Sequence, residues 1–159
     1  MLSFNKIIYA LLFFTSACSL TPLYTDDRSS NLIRQINIQE PSTQNEFIFY
    51  SQLINRFGEI GDRYVLDYEI FTTKEDKAIS FSETVHRIEI LGSVTFSLKD
   101  KNNGNELISD KEEMYLSYSN SGSTSAVLNA QKNTNEQLIV SLADKVANRV
   151  SQVIIDESL

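Results

Sequence analysis

The sequence predicts a two-layer α+β sandwich, with two helices packed on one face of a largely antiparallel sheet of about four strands. Three observations lead there. Apolar residues alternate with polar ones over 64–71, 79–98 and 106–119, the period-two signature of strands with one wet face. Over 44–57 and about 125–155 the apolar residues instead return every three to four positions, as on an amphipathic helix. Finally, 159 residues with 42% apolar and 22% charged side chains, two prolines and five glycines suit one packed domain and exclude a disordered or collagen-like chain.

Taken in order, the sandwich is expected to occupy 32–159. Leu32 to Ile38 alternates, with Ile36 and Ile38 on one side, and Pro41-Ser42-Thr43 breaks it. Thr43 and Glu46 have capping-box spacing, in which each side chain satisfies the other's orphan main-chain donor. Behind them Phe47, Tyr50, Leu53, Ile54 and Phe57 form a stripe, and Gly58 stands where a C-cap glycine belongs. Tyr64, Leu66, Tyr68 and Ile70 then share one face of a strand, and the charged stretch Lys74 to Lys77 is expected to end it. Alternation resumes from Ile79 to Leu98, with His86, Ile88, Ile90, Val94, Phe96 and Leu98 in register; Gly92 is expected to mark a bulge or bend. Asn103-Gly104 signals a hairpin into a returning strand at Glu106 to Ser119. Leu138, Leu142, Val146, Val150 and Val153 define the last helix, whose first half, Asn129 to Asn135, is polar and expected to be exposed or frayed.

Charge and composition remove several functions. The formal charge is −7 and the sequence pI about 4.7, with no basic run, whereas nucleic-acid binding needs clustered cations to displace counterions. A single cysteine and a single histidine rule out an internal disulfide and a cysteine-cluster metal site, and no metal box or glycine-rich phosphate loop occurs. A serine–histidine–acid triad would need His86, which reads as a structural histidine within a strand. Glu112 and Glu113 are adjacent and face opposite sides of a strand, so they cannot form a catalytic carboxylate pair. The chain is therefore expected to have no catalytic site, no metal and no cofactor.

The N-terminus carries a targeting signal. Lys6 precedes the apolar run Ile7-Ile8-Tyr9-Ala10-Leu11-Leu12-Phe13-Phe14, followed by Thr15-Ser16-Ala17-Cys18. A short positive region, a run of about eight apolar residues and a small-residue cleavage site make a signal peptide over 1–17. The run falls short of the roughly 20 residues that cross a bilayer. Ser16, Ala17 and Cys18 resemble the lipobox of bacterial lipoproteins, in which cleavage falls between Ala17 and Cys18 and the Cys18 thiol forms a thioether to diacylglycerol. Thr15 departs from the usual leucine, and Thr15 with Ala17 also suits the general signal peptidase. Residues 18–31 are polar and turn-rich and read as a lipidated cysteine with its tether.

Two surface features are candidates for contacts. Tyr64, Tyr68, Tyr115 and Tyr118 fall on strands, and amphipathic aromatics are enriched at interfaces, although such residues also close core edges. Lys74, Lys77, Lys99 and Lys101 fall at predicted strand ends, where they are either solvated turn residues or contacts for the phosphates of an anionic glycolipid.

Cys18 and Pro22-Leu23-Tyr24 resemble the opening of the lipopolysaccharide-assembly lipoprotein family LptE in its alphaproteobacterial form, with Ser19 in place of the usual glycine. The stretch Leu142-Ala143-Asp144-Lys145-Val146-Ala147-Asn148-Arg149-Val150 is similar to the family's terminal helix. The resemblance implies an outer-membrane lipoprotein on the periplasmic face, held by acyl chains such as palmitate on Cys18. It also implies an α/β sandwich that plugs an LptD-like β-barrel, supports its assembly, and contacts lipopolysaccharide in transit. Ser19 is compatible with outer-membrane sorting. Of the family's functional residues only Cys18 carries over. A free-standing, lipid-anchored glycolipid-binding module in the periplasm is the alternative expectation.

Overall fold

The computed structural model describes residues 34–58, 61–78 and 86–157, apart from the side chains of 76–78 and 86. The expected signal peptide over 1–17, Cys18 and the expected tether lie outside the described residues. The elements run β1 (Ile36–Ile38), α1 (Gln44–Phe57), β2 (Tyr64–Ala78), β3 (His86–Asp100), β4 (Glu106–Ser119) and α2 (Thr124–Glu157). The sheet order is β1-β2-β3-β4, with β2, β3 and β4 antiparallel to one another and β1 parallel to β2. The two-helix, four-strand α+β architecture is the expected one, with a mixed sheet because α1 is the crossover that returns the chain parallel to β1.

Helix α1 starts as its sequence dictates. Thr43 Oγ1 accepts from the Glu46 amide at 3.3 Å, and Glu46 Oε2 accepts from the amides of Thr43 at 3.3 Å and Ser42 at 2.7 Å. It stops at Gly58, whose φ of 90° suits glycine and whose amide donates to Ile54 O. Its buried line is Phe49, Leu53 and Phe57. Phe47, assigned to the stripe from sequence, is 63% exposed. Two residues along a helix turn about 200°, so Phe47 and Phe49 cannot share a face.

Even-numbered positions of β2 and β3 face the helices. Tyr64, Leu66, Tyr68, Ile90, Val94, Phe96 and Leu98 are all buried there. Strand β2 does not end at Lys74 as expected but runs to Ala78, with Lys74 opposite Ile90 and Lys77 opposite Arg87. Cross-strand pairing overrides the weak strand preference of the charged residues. Gly92 pairs regularly with Thr72 and Met114, and the irregularity falls instead at Leu98/Lys99, beside the hairpin. That hairpin is held by the Gly104 amide on Asp100 O at 2.8 Å, with Gly104 at φ 72°.

Helix α2 spans 34 residues, about 51 Å at 1.5 Å per residue, which matches the roughly 50 Å length of the 15-residue strands. This match explains why its polar first half is helical and not frayed. Val127 and Ala130 pack against the core, and Tyr118 Oη donates to Gln131 Oε1 at 3.3 Å. Farther along, Leu138, Ile139, Leu142, Val146, Val150 and Ile154 are fully buried. Asp144 joins the helices by accepting from Gln52 Nε2 at 3.2 Å and Arg56 at 3.1 Å.

Candidate functional site

Odd-numbered residues of β2, β3 and β4 form the face of the sheet that no helix covers. Small hydroxyl residues recur on it among charged ones, including Ser93, Thr95, Ser97, Ser109 and Ser117. Its charges are largely matched: Lys99 meets Asp67 at 3.4 Å and Lys111 meets Glu113 at 2.6 Å. Across this wettable face runs one apolar diagonal. Phe71 is 65% exposed, Leu91 37% and Tyr115 66%. Leu91 faces Tyr115 on β4, and Phe71 faces Ser93, the next outward residue after Leu91 on β3. Thr73 lies on the other side of Leu91. Large apolar side chains exposed on adjacent strands of one face make it the candidate contact surface.

The tyrosines divide cleanly. Of the four singled out from sequence, Tyr64, Tyr68 and Tyr118 are buried and Tyr115 is exposed. Burial pushes the Tyr68 hydroxyl up to about 12, reinforced by Glu46 and Tyr50. Tyr68 donates to Gln39 O at 3.2 Å and stacks against Phe49 with ring centroids 4.8 Å apart. Burial also raises Tyr64, against the opposing charge of Arg63. Both are core residues, not contact residues.

The lysines singled out from sequence do not converge. Lys99 and Lys101 lie at the hairpin end, where Lys101 pairs with Asp62 at 3.1 Å. Lys74 is on β2 nine residues beyond Val65, the partner of Lys99, which is about 30 Å along a strand. Its position in the helix-facing row is exposed beyond the start of α1. Lys74 and Lys132 line a cleft of about 290 Å³ with Gln44, Asn45, Ile48, Gln131, Asn135 and Glu136, and Glu136 pairs with Lys132 at 3.8 Å. Lys77 is paired through its main chain, and its side chain lies outside the described residues.

Among the described residues no group of three or more His, Cys, Asp or Glu side chains could hold a metal ion. No helix among them is long and apolar enough to cross a membrane. His86 begins β3, and its side chain lies outside the described residues.

Sequence reasoning missed Phe71 and Leu91. The signal was present: both occupy odd positions in strands whose even positions supply the core, so they had to point away from the helices.

The sequence matches no protein-family model and no curated protein. The fold does have counterparts among solved structures. A chain from Caulobacter crescentus described as a lipoprotein superposes with a TM-score of 0.63 at 16% identity, covering 80% of this chain and 96% of that one. Rare lipoprotein B from Shewanella oneidensis gives a TM-score of 0.60 at 11% identity, covering 79% and 98%. A minor lipoprotein from Acinetobacter baumannii gives 0.53 at 14% identity, covering 76% and 94%. The fold of this chain is thus one that bacterial lipoproteins use.

Proposed function

We propose that this protein is a lipid-anchored lipoprotein of the outer membrane, facing the periplasm, that seats in an LptD-like β-barrel and supports its assembly for lipopolysaccharide transport. The observation that carries the reading is the open sheet face, hydroxyl-rich and charge-matched with the Phe71–Leu91–Tyr115 diagonal across it. Wide barrels have polar inner walls and need a filler to stay closed, and such a face fits a polar wall while its apolar diagonal supplies adhesion. The fold shared with bacterial lipoproteins and the Ser16-Ala17-Cys18 sequence support the anchor. Each acyl methylene buried adds about 0.8 kcal/mol, so two or three chains on Cys18 anchor the body stably.

The cleft beside Lys74 and Lys132 favours a second reading, a free-standing glycolipid binder. Recovery from membranes in mild detergent, with mass spectrometry of the partner and of the N-terminal peptide, separates the two. Co-recovery of a large barrel protein with an acylated Cys18 is expected. Recovery of the chain alone with bound glycolipid supports the second reading, and an unmodified Cys18 thiol overturns both.

A further inference from the structure

We propose that Lys145, held in place by Glu112, is a stop built onto the free edge of β4, which keeps a further strand from adding to the sheet there. Among the described residues β4 ends the sheet. Its 14 residues would offer about 47 Å of main chain to an incoming strand. A long strand edge left bare is a template for pairing with other chains, and folded proteins blunt such edges with charges or a covering element.

The direction of the main chain shows which groups this edge presents. The Tyr64 amide donates to Gln35 O at 3.0 Å, and Leu66 O accepts from the Gln39 amide at 3.0 Å. Even-numbered residues of β2 therefore turn their main-chain groups toward β1. Carried through the registers of β2 with β3 and β3 with β4, this alternation leaves the odd-numbered residues of β4 pointing away from β3. Glu113, at the middle of the strand, is one of them, and Ser109 is another.

The central acceptor of that edge is already taken. Lys145 on α2 donates from Nζ to Glu113 O at 3.1 Å and to Glu112 Oε2 at 3.3 Å. One turn further along α2, Arg149 Nε lies 3.5 Å from Asp110 Oδ2. Two cations on one side of the helix thus meet two carboxylates of the helix-facing row of β4, and they hold the ammonium over the edge. A strand adding to β4 needs the Glu113 carbonyl. It would have to displace a charge-assisted bond and cover an ammonium that has lost a partner. The opposite edge shows a related device: β1 covers only Tyr64 to Leu66, and Gln39 Oε1 accepts from the next outward amide, that of Tyr68, at 3.1 Å. A partner must then meet the sheet on its open face and not along β4, whether or not that partner is a barrel.

The test uses the full chain in detergent under reductant, with light scattering over a concentration series and a thermal melt of each variant. Lys145→Met keeps the stem and removes the ammonium. It should melt close to the unaltered protein yet associate beyond one chain at about tenfold lower concentration, the worth of one charge-assisted hydrogen bond. Lys145→Arg should behave like the unaltered protein, because a guanidinium also donates. Adding Ser109→Pro to Lys145→Met should undo the association. The Ser109 amide points out of the sheet, so proline removes no bond to β3 and spoils the edge for pairing. Association of Lys145→Met no stronger than that of the unaltered protein overturns the proposal. So does association that survives Ser109→Pro, which would come from another surface. If Lys145→Met fails to fold, Glu112→Gln decides: it keeps the lysine but loosens its hold, and it should move association in the same direction. No change in Glu112→Gln then overturns the proposal.

Discussion

A side chain at Gly92, in the middle of β3, would place its Cβ 2.9 Å from Leu142 Cδ1 and 3.0 Å from Leu138 Cδ2 on α2. The glycine is what lets the long helix lie directly on the sheet. Gly92→Ala is expected to destabilise the fold by about 1–3 kcal/mol, the cost of overpacking. Leu142→Ala alone should cost about 2–5 kcal/mol through the cavity it leaves. Combined, the two changes should cost less than their sum, because each relieves the other. Denaturant melts of the two single variants and the double variant check the coupling, and simple additivity would refute the direct contact.

Gly61 is the stricter case. A Cβ there would lie 1.8 Å from Gln35 C and 2.0 Å from Ile36 N. These are main-chain atoms that position β1, and Gln35 O accepts from the amides of Arg63 and Tyr64. A flexible side chain can yield, but a paired main chain cannot. Gly61→Ala should therefore reduce folded yield far more than Gly92→Ala, as read by soluble recovery and melting temperature.

Hydrogen bonds from Ser42 hold the Glu46 carboxyl below its ordinary value of 4.5, with Thr43 adding to the effect. A depressed carboxyl contributes stability that is fully present above its unfolded value and lost as pH falls through the folded one. Glu46→Gln should thus lower the melting temperature at neutral pH, and the gap to the unaltered protein should close as pH drops below about 4. Thr43→Ala should cost about 0.5–2 kcal/mol and retain most of that cost in acid, because a threonine hydroxyl does not titrate in this range.

Tyr68 makes the opposite prediction at high pH. Its hydroxyl is pushed up to about 12 from an ordinary 10, so the fold favours the neutral form. That stability is complete below about pH 10 and is lost as pH rises toward 12. Tyr68→Phe should be less stable at neutral pH, through the lost bond to Gln39 O. It should also show a shallower decline above pH 10, which thermal melts across that range would detect.

What could be read from the sequence followed from patterns that each residue obeys alone. The capping box, Gly58 and the alternation in β4 are local, and the structure keeps them. The departures are cases where a distant partner decides. Lys74 to Lys77 reads as a break until β3 pairs with it. Gly92 reads as a bulge until Leu138 and Leu142 settle on it. Phe47 and Phe49 both fit a helical spacing with their neighbours, and only the direction of the sheet tells which one is buried. The contact face is a different case: its signal was local, since Phe71 and Leu91 occupy odd positions in strands whose even positions carry the core.

The Phe71–Leu91–Tyr115 diagonal supplies the last prediction. These side chains are substantially exposed and support no core neighbour on the helical side, so replacing all three with serine removes adhesion without opening a cavity. The melting temperature should stay within a few degrees of the unaltered protein, because surface changes away from buried features usually fall within about 0.5 kcal/mol each. Co-recovery of a barrel partner, in contrast, should fall at least several-fold, since exposed aromatic anchors carry a disproportionate share of interface energy. A core change of matched severity, such as Leu98→Ala, should instead lower stability and recovery together. If the serine variant melts normally and still recovers its partner in full, the open face is not where the partner sits, and the helical side, with exposed Phe47 and Leu128, becomes the surface to test.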